Sequence, residues 1–224
     1  MPTDAQDLRL TVDAETSVSA LLVTPADARH CLVLAHGAGA GMAHPFMASL
    51  ADELAARRVA TLRYQFPYME RGSKRPDSPA VAHAAVRAAV AEAGRRMGGV
   101  PLFAGGKSFG ARMSSQAQAL SPMEGVKGLV FVGFPLHPAG KPGVERAAHL
   151  AQVRCPMLFL QGTRDELADL DLLRNVIAPL AGRATLEVID DADHAFHVRV
   201  KSGRTDAQVL AGLAQLIADW MSRQ

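Results

Sequence analysis

Leu102 to Met113 reads LFAGGKSFGARM and sets Ser108 between Gly106 and Gly110, where an apolar strand pattern runs into a helical one. A GxSxG turn of this kind puts the serine on a strained corner, and the small residues flanking it let strand and helix approach closely. A serine hydroxyl is a weak nucleophile at neutral pH, so chemistry at Ser108 needs a histidine to take its proton and an acid to orient that histidine. Asp165 in QGTRDE and His194 in DDADHAF each follow a strand pattern, MLFLQG and TLEVID. In an open parallel sheet, reacting groups gather beyond the carboxyl ends of the strands. Ser108, Asp165 and His194 are therefore the candidate trio for acyl transfer. Each has a plain competitor: a turn serine for Ser108 and a helix cap for Asp165. The rival acids are Glu166, Asp190, Asp191 and Asp193, and the rival base is His197.

A tetrahedral oxyanion needs two backbone donors. Phe109, the residue after the serine, supplies one, and the glycine-rich HGAGAG at residues 36–41 supplies the other through Ala38, with Gly39 the close alternative. His36 is read as structural, bonding within that loop. Two phosphate-binding readings compete. GxGxxG fails because its third glycine falls on Met42 and the next strand ends at Arg63 instead of an acid. GxxxxGK[ST] fails because its first glycine falls on Pro101.

These residues must be positioned by alternating strands and helices. Leu8 to Val12 and Val18 to Val23 read as an opening hairpin, and His30 to Ala35 as a strand covered on both faces. Phe46, Met47, Leu50 and Leu54 recur at helical spacing before a strand at Val59 to Arg63. Gln65 to Asp77 reads as a polar loop; Ser78 then reads as a capping serine ahead of Pro79, starting a helix to about Met97. Strands follow at Pro101 to Ala104, Leu129 to Val132, Met157 to Leu160 and Thr185 to Ile189, with helices after Ser108 and from about Leu170 to Leu180. Phe134 to Val153 reads as loop with one short helix. Thr205 and Gln208 form a capping box for a last helix with Val209, Leu213, Leu216, Ile217 and Trp220 on one face. The expected fold is α/β, a mostly parallel doubly wound sheet with an N-terminal antiparallel hairpin.

The chain of 224 residues, with no composition shift, is expected to form a single domain over 1–224. A net charge of +2 with interspersed signs leaves no electrostatic footprint for nucleic acid or a membrane surface. Cys31 and Cys155 form neither a disulfide framework nor a metal spacing. Met1 to Asp13 lacks a basic start with an apolar run, and no apolar stretch is long enough to span a bilayer. A cytoplasmic, soluble protein is expected, needing no metal or cofactor.

HGAGAG, GKSFG, GTRDE and DADHAF together resemble a small, capless member of the α/β-hydrolase superfamily, of dienelactone-hydrolase-like architecture, over nearly the whole chain. HGAGAGMAHPFM, RYQFPYMERGSKRPD and AGGKSFGARM more narrowly resemble a bacterial hydrolase family related to testis-expressed and histone-acetyltransferase-subunit proteins. Ala111 stands where such relatives commonly carry a second glycine, and Lys107 where many carry histidine, tyrosine or aspartate. Lys107 either lends positive potential to the site or lies along the surface. Tyr68, Met69 and Glu70 of the loop FPYMER are expected to line the pocket, and Leu136, His137 and Pro138, in the stretch that begins at Phe134, to form the cleft rim. The stretch from Phe134 to Val153 is too short for a helical cap, so an open cleft is expected. The expected activity is hydrolysis of a small soluble carboxylic ester or thioester, the partner being a small-molecule acyl substrate. The alternatives are a catalytically weak scaffold on the same fold, or a peptidase or amidase using the same trio. The sequence leaves the oligomeric state open.

Overall fold

The computed structural model describes residues 5–180 and 182–224, so Met1 to Asp4 in the N-terminal reading lie outside the described residues. Among these residues eight strands form one sheet: β1 (Gln6–Thr11), β2 (Ser17–Val23), β3 (His30–Ala35), β4 (Val59–Tyr64), β5 (Leu102–Lys107), β6 (Val126–Val132), β7 (Met157–Gly162) and β8 (Ala184–Ile189). Their spatial order is β1-β2-β4-β3-β5-β6-β7-β8. The opening hairpin is antiparallel and joins β4 antiparallel, while every pair from β4 to β8 is parallel.

Among the described residues six helices flank the sheet: α1 (Pro45–Ala55), α2 (Pro67–Glu70), α3 (Pro79–Arg96), α4 (Phe109–Leu120), α5 (Leu170–Ile177) and α6 (Asp206–Met221). Side chains of a strand alternate between faces, and the two cores divide accordingly. Cys31, Val33 and Ala35 of β3 pack with α3 and α4, whereas Leu32 and Leu34 pack with α1 and α6. The face under α3 is lined by small residues, Ala82, Ala85, Ala89 and Ala93, which bring that helix close to the sheet. On the other face Trp220 packs edge-on to Phe103, with ring centroids 5.8 Å apart.

Several local expectations shift. Ser78 is the N-cap residue of α3, but its side chain makes no capping bond, so Pro79 at the first turn carries that start. The polar loop after β4 contains the single turn α2, and the stretch between β6 and β7 holds a 3-10 segment, Glu145–Gln152. Pro179 ends α5 in a 3-10 turn, Ala178–Leu180. The capping box at Thr205 forms in both directions. Among the described residues no cap domain covers the carboxyl ends of the strands, and no helix is long and apolar enough to cross a membrane.

Packing is tight where β5 turns into α4. A Cβ added to Gly106 would sit 2.4 Å from the Ala35 carbonyl oxygen, and one added to Gly110 would sit 2.5 Å from the same atom. Both obstacles are backbone, which cannot swing aside. We expect Gly110→Ala to destabilise the fold by ~1–3 kcal/mol through overpacking, read as a lowered urea midpoint at unchanged slope; an unchanged midpoint would show that β3 can retreat.

Candidate functional site

The turn after β5 holds Ser108 at φ 51° and ψ −113°, left-handed backbone for a residue with a side chain. Such a conformation costs roughly 1–3 kcal/mol and persists where surrounding packing over-determines it. Here the Ser108 amide donates to the Val132 carbonyl at 3.1 Å, tying the corner to the end of β6.

His194 Nε2 lies 2.8 Å from Ser108 Oγ, and its Nδ1 lies 2.7 Å from Asp165 Oδ2. Asp165 is buried just beyond β7, and its carboxylate is fully engaged. Oδ2 also accepts from Gln161 Nε2 at 2.5 Å, and Oδ1 accepts from the Leu167 amide at 2.8 Å. An acid so held can accept Nδ1–H, leaving Nε2 to take a proton from the serine. The competing roles fall elsewhere. Asp169, not Asp165, caps α5. Asp191 pairs with Arg199, Asp193 Oδ1 accepts the Ala195 and His197 amides, and the His197 ring faces Asp206 at the surface.

The HGAGAG loop follows β3 and is braced from the core side. The Phe66 amide donates to His36 Nε2 at 3.0 Å, so the ring is neutral there and Nδ1 donates to the Gly37 carbonyl at 2.7 Å. Burial lowers the His36 pKa to about 4, which keeps that tautomer at neutral pH. His36 thus bonds within its own loop, as expected, and also beyond it, to Phe66. Tyr68 donates its hydroxyl to the Ala38 carbonyl at 2.8 Å, and burial raises its pKa to about 12, so it remains a donor. A trans peptide sets N–H and C=O on opposite sides, so the Ala38 and Gly39 amides both point away from these braces. Neither has an acceptor among the described residues, and Ala38 and Gly39 both line the cavity at Ser108. The Phe109 amide, first in α4, has no intrahelical acceptor, and its ring packs 5.2 Å from Phe66.

That cavity is about 380 Å³, with Phe46, Met47, Leu167 and Ala40 forming apolar walls around Lys107, Ser108 and His194. Three expected lining residues are absent from it. Tyr68 is buried behind the loop, Met69 packs against the core, and Glu70 accepts the Ser19 amide and pairs with Arg9. His137 is likewise no rim residue: it is buried, accepting the Asp169 amide at Nε2 and facing the Pro138 carbonyl through Nδ1, and so ties the loop after β6 to the start of α5. Leu136 is fully buried too. The residues missed by sequence reasoning are Phe46, Met47 and Leu167, which look like ordinary core positions, and Gln161. The last had a signal, being the polar residue in the otherwise apolar MLFLQ run of β7. A larger cavity of about 540 Å³ opens at the opposite end of the sheet, beside Met97, Leu102 and Met123, far from the serine. Among the described residues, no group of three or more His, Cys, Asp or Glu is placed to hold a metal.

Solved structures share this architecture. A dienelactone hydrolase from Anabaena variabilis ATCC 29413 superposes with a TM-score of 0.79 at 20% identity, covering 100% of this chain and 99% of that one. An α/β serine hydrolase without lid from Xanthomonas campestris gives 0.74 at 20% identity, covering 98% and 96%. An α/β serine hydrolase homologue from Coxiella burnetii gives 0.75 at 19% identity, covering 96% of each chain. A family model described as "Alpha/beta hydrolase domain" matches residues 28–222. With its hairpin-led parallel sheet, its serine on a strained strand-to-helix corner and that match over most of its length, the chain belongs to the α/β-hydrolase family, as a small member without a cap.

Proposed function

We propose that the protein is a serine hydrolase that cleaves small carboxylic esters or thioesters through an acyl-enzyme. The observation that carries this reading is the continuous relay from Ser108 Oγ through His194 to Asp165, at 2.8 Å and 2.7 Å, on the wall of an apolar cavity. Ser108 Oγ attacks the substrate carbonyl as its proton passes to His194 Nε2, while Asp165 holds Nδ1–H and stabilises the imidazolium. The oxyanion takes hydrogen bonds from the Phe109 amide and from Ala38, with Gly39 the alternative donor. Collapse expels the alcohol or thiol, protonated by His194. A water deprotonated by the same imidazole then releases the acid. No step requires a metal or cofactor.

The cavity of about 380 Å³ lies in the range of small-ligand sites. Phe46, Met47 and Leu167 suit an apolar acyl or alcohol group, and the uncovered strand ends leave the cleft open to a soluble small molecule. Structural neighbours described as serine hydrolases support the same reaction class. Cys31 and Cys155 are both free, which suits a reducing compartment such as the cytoplasm.

A fluorophosphonate probe is expected to label Ser108, with labelling abolished in Ser108→Ala; equal labelling of the two proteins would end the proposal. Asp165→Asn should keep the geometry but favour the wrong imidazole tautomer, lowering kcat by a factor on the order of 10,000. The brace on the oxyanion loop is tested separately. Tyr68→Phe removes the partner of the Ala38 carbonyl and should cost ~1–3 kcal/mol in chemical denaturation, together with a lower kcat for ester hydrolysis.

A further inference from the structure

Lys107 ends β5, one residue before the nucleophile. Its ammonium donates to the backbone carbonyl of His194, and it lies 5.3 Å from the Phe196 ring centroid and 5.9 Å from that of Phe46. Gly133, at φ 69° just after β6, makes the room: a Cβ there would stand 3.2 Å from Lys107 Nζ and 3.5 Å from the His194 ring. Taking an ammonium out of water is unfavourable unless it is compensated. Here the compensation is one carbonyl, two aromatic faces and the fields of Asp165 and Asp193.

The loop it grips has irregular backbone. Asp191 stands at φ 56° and Phe196 at φ 64°, on either side of His194. Other bonds close the turns of that loop, at Asp193 and at the Asp191 to Arg199 pair. Lys107 alone among them reaches from the serine's own strand to the histidine's own carbonyl.

We propose that Lys107 is a positioning residue that pins the His194 carbonyl to the nucleophile elbow, so that the imidazole is held at Ser108 Oγ before substrate arrives. This rests on the serine-hydrolase reading above. A bridge between the two reacting groups removes their relative motion, and misplacement of a reacting group by about 1 Å can lower a rate ~100-fold.

The pin depends on charge. Burial pulls the Lys107 pKa from its ordinary 10.5 down to about 8, while Asp165 and Asp193 pull it back up. The other titratable groups facing it are His194 itself and His44, across the cavity ahead of α1. Because the charged form does the pinning, positioning is full well below pH 8 and weakens as pH rises through about 8.

The test is a pH profile of kcat for ester hydrolysis in the wild type, Lys107→Met and Lys107→Arg, with fluorophosphonate labelling of Ser108 in parallel. Lys107→Met should lower kcat ~100-fold with KM changed by less than about threefold, and lose the alkaline limb. Lys107→Arg, charged at every accessible pH, should retain activity and carry it past the pH at which the wild type declines. A wild type that does not label at Ser108 would overturn the hydrolase reading and this inference with it. A labelled wild type with kcat of Lys107→Met within about twofold would overturn the inference alone. Should Lys107→Met not fold, the wild type and Lys107→Arg decide: coincident alkaline limbs overturn the proposal, and separated limbs support it.

Discussion

The contact on which the rest of the site depends is the one between the last residue of β3 and the corner after β5. The Ala35 carbonyl sits where a side chain on either Gly106 or Gly110 would have to go. That closeness locks the left-handed backbone of Ser108, and it brings the loop after β3 alongside the serine. The nucleophile and the amides opposite it are thus set by one packing constraint.

Around that contact, each remaining part of the site is braced from behind. His36 and Tyr68 hold the carbonyls of the HGAGAG loop on the core side, which leaves the amides of Ala38 and Gly39 unengaged on the other. Phe66, Tyr68 and Phe109 pack against one another beneath these amides, so the two sides of the proposed oxyanion site share one aromatic support. Gln161 does the same for Asp165, and accepts the Phe134 amide as well, linking the acid to the end of β6. His36, Tyr68 and Gln161 each meet a backbone group from a segment distant in sequence, at Phe66, Ala38 and Phe134, as burial demands.

Two features of the site escape local pattern: which way a loop side chain turns, and which apolar residue meets a cavity. Tyr68 and His137 sit in loops that leave strands at the carboxyl ends, where reacting groups collect. Loop position does not say which way a side chain turns, and both turned inward to satisfy buried backbone groups. Phe46, Met47 and Leu167 were missed for the opposite reason: an apolar residue on an amphipathic helix or beside a strand carries no mark that its outer edge meets a cavity. Lys107 is undecided by sequence because a lysine beside a glycine can extend along the surface or fold over a neighbouring loop, and the residue it bonds lies 87 positions further along.

The sequence by itself determined the succession of strands and helices, the glycine-flanked serine, and the positions of an acid and a histidine after later strands. It could do so because periodicity, turn chemistry and steric demand are local properties, written in neighbouring residues. Only the tertiary structure decided that Asp165 and not its acidic neighbours meets His194, that Tyr68 and His137 are braces, and that Lys107 grips the histidine's carbonyl. Those are contacts between segments far apart in the chain, settled by which groups the packed sheet buries together and which partners burial then requires of them.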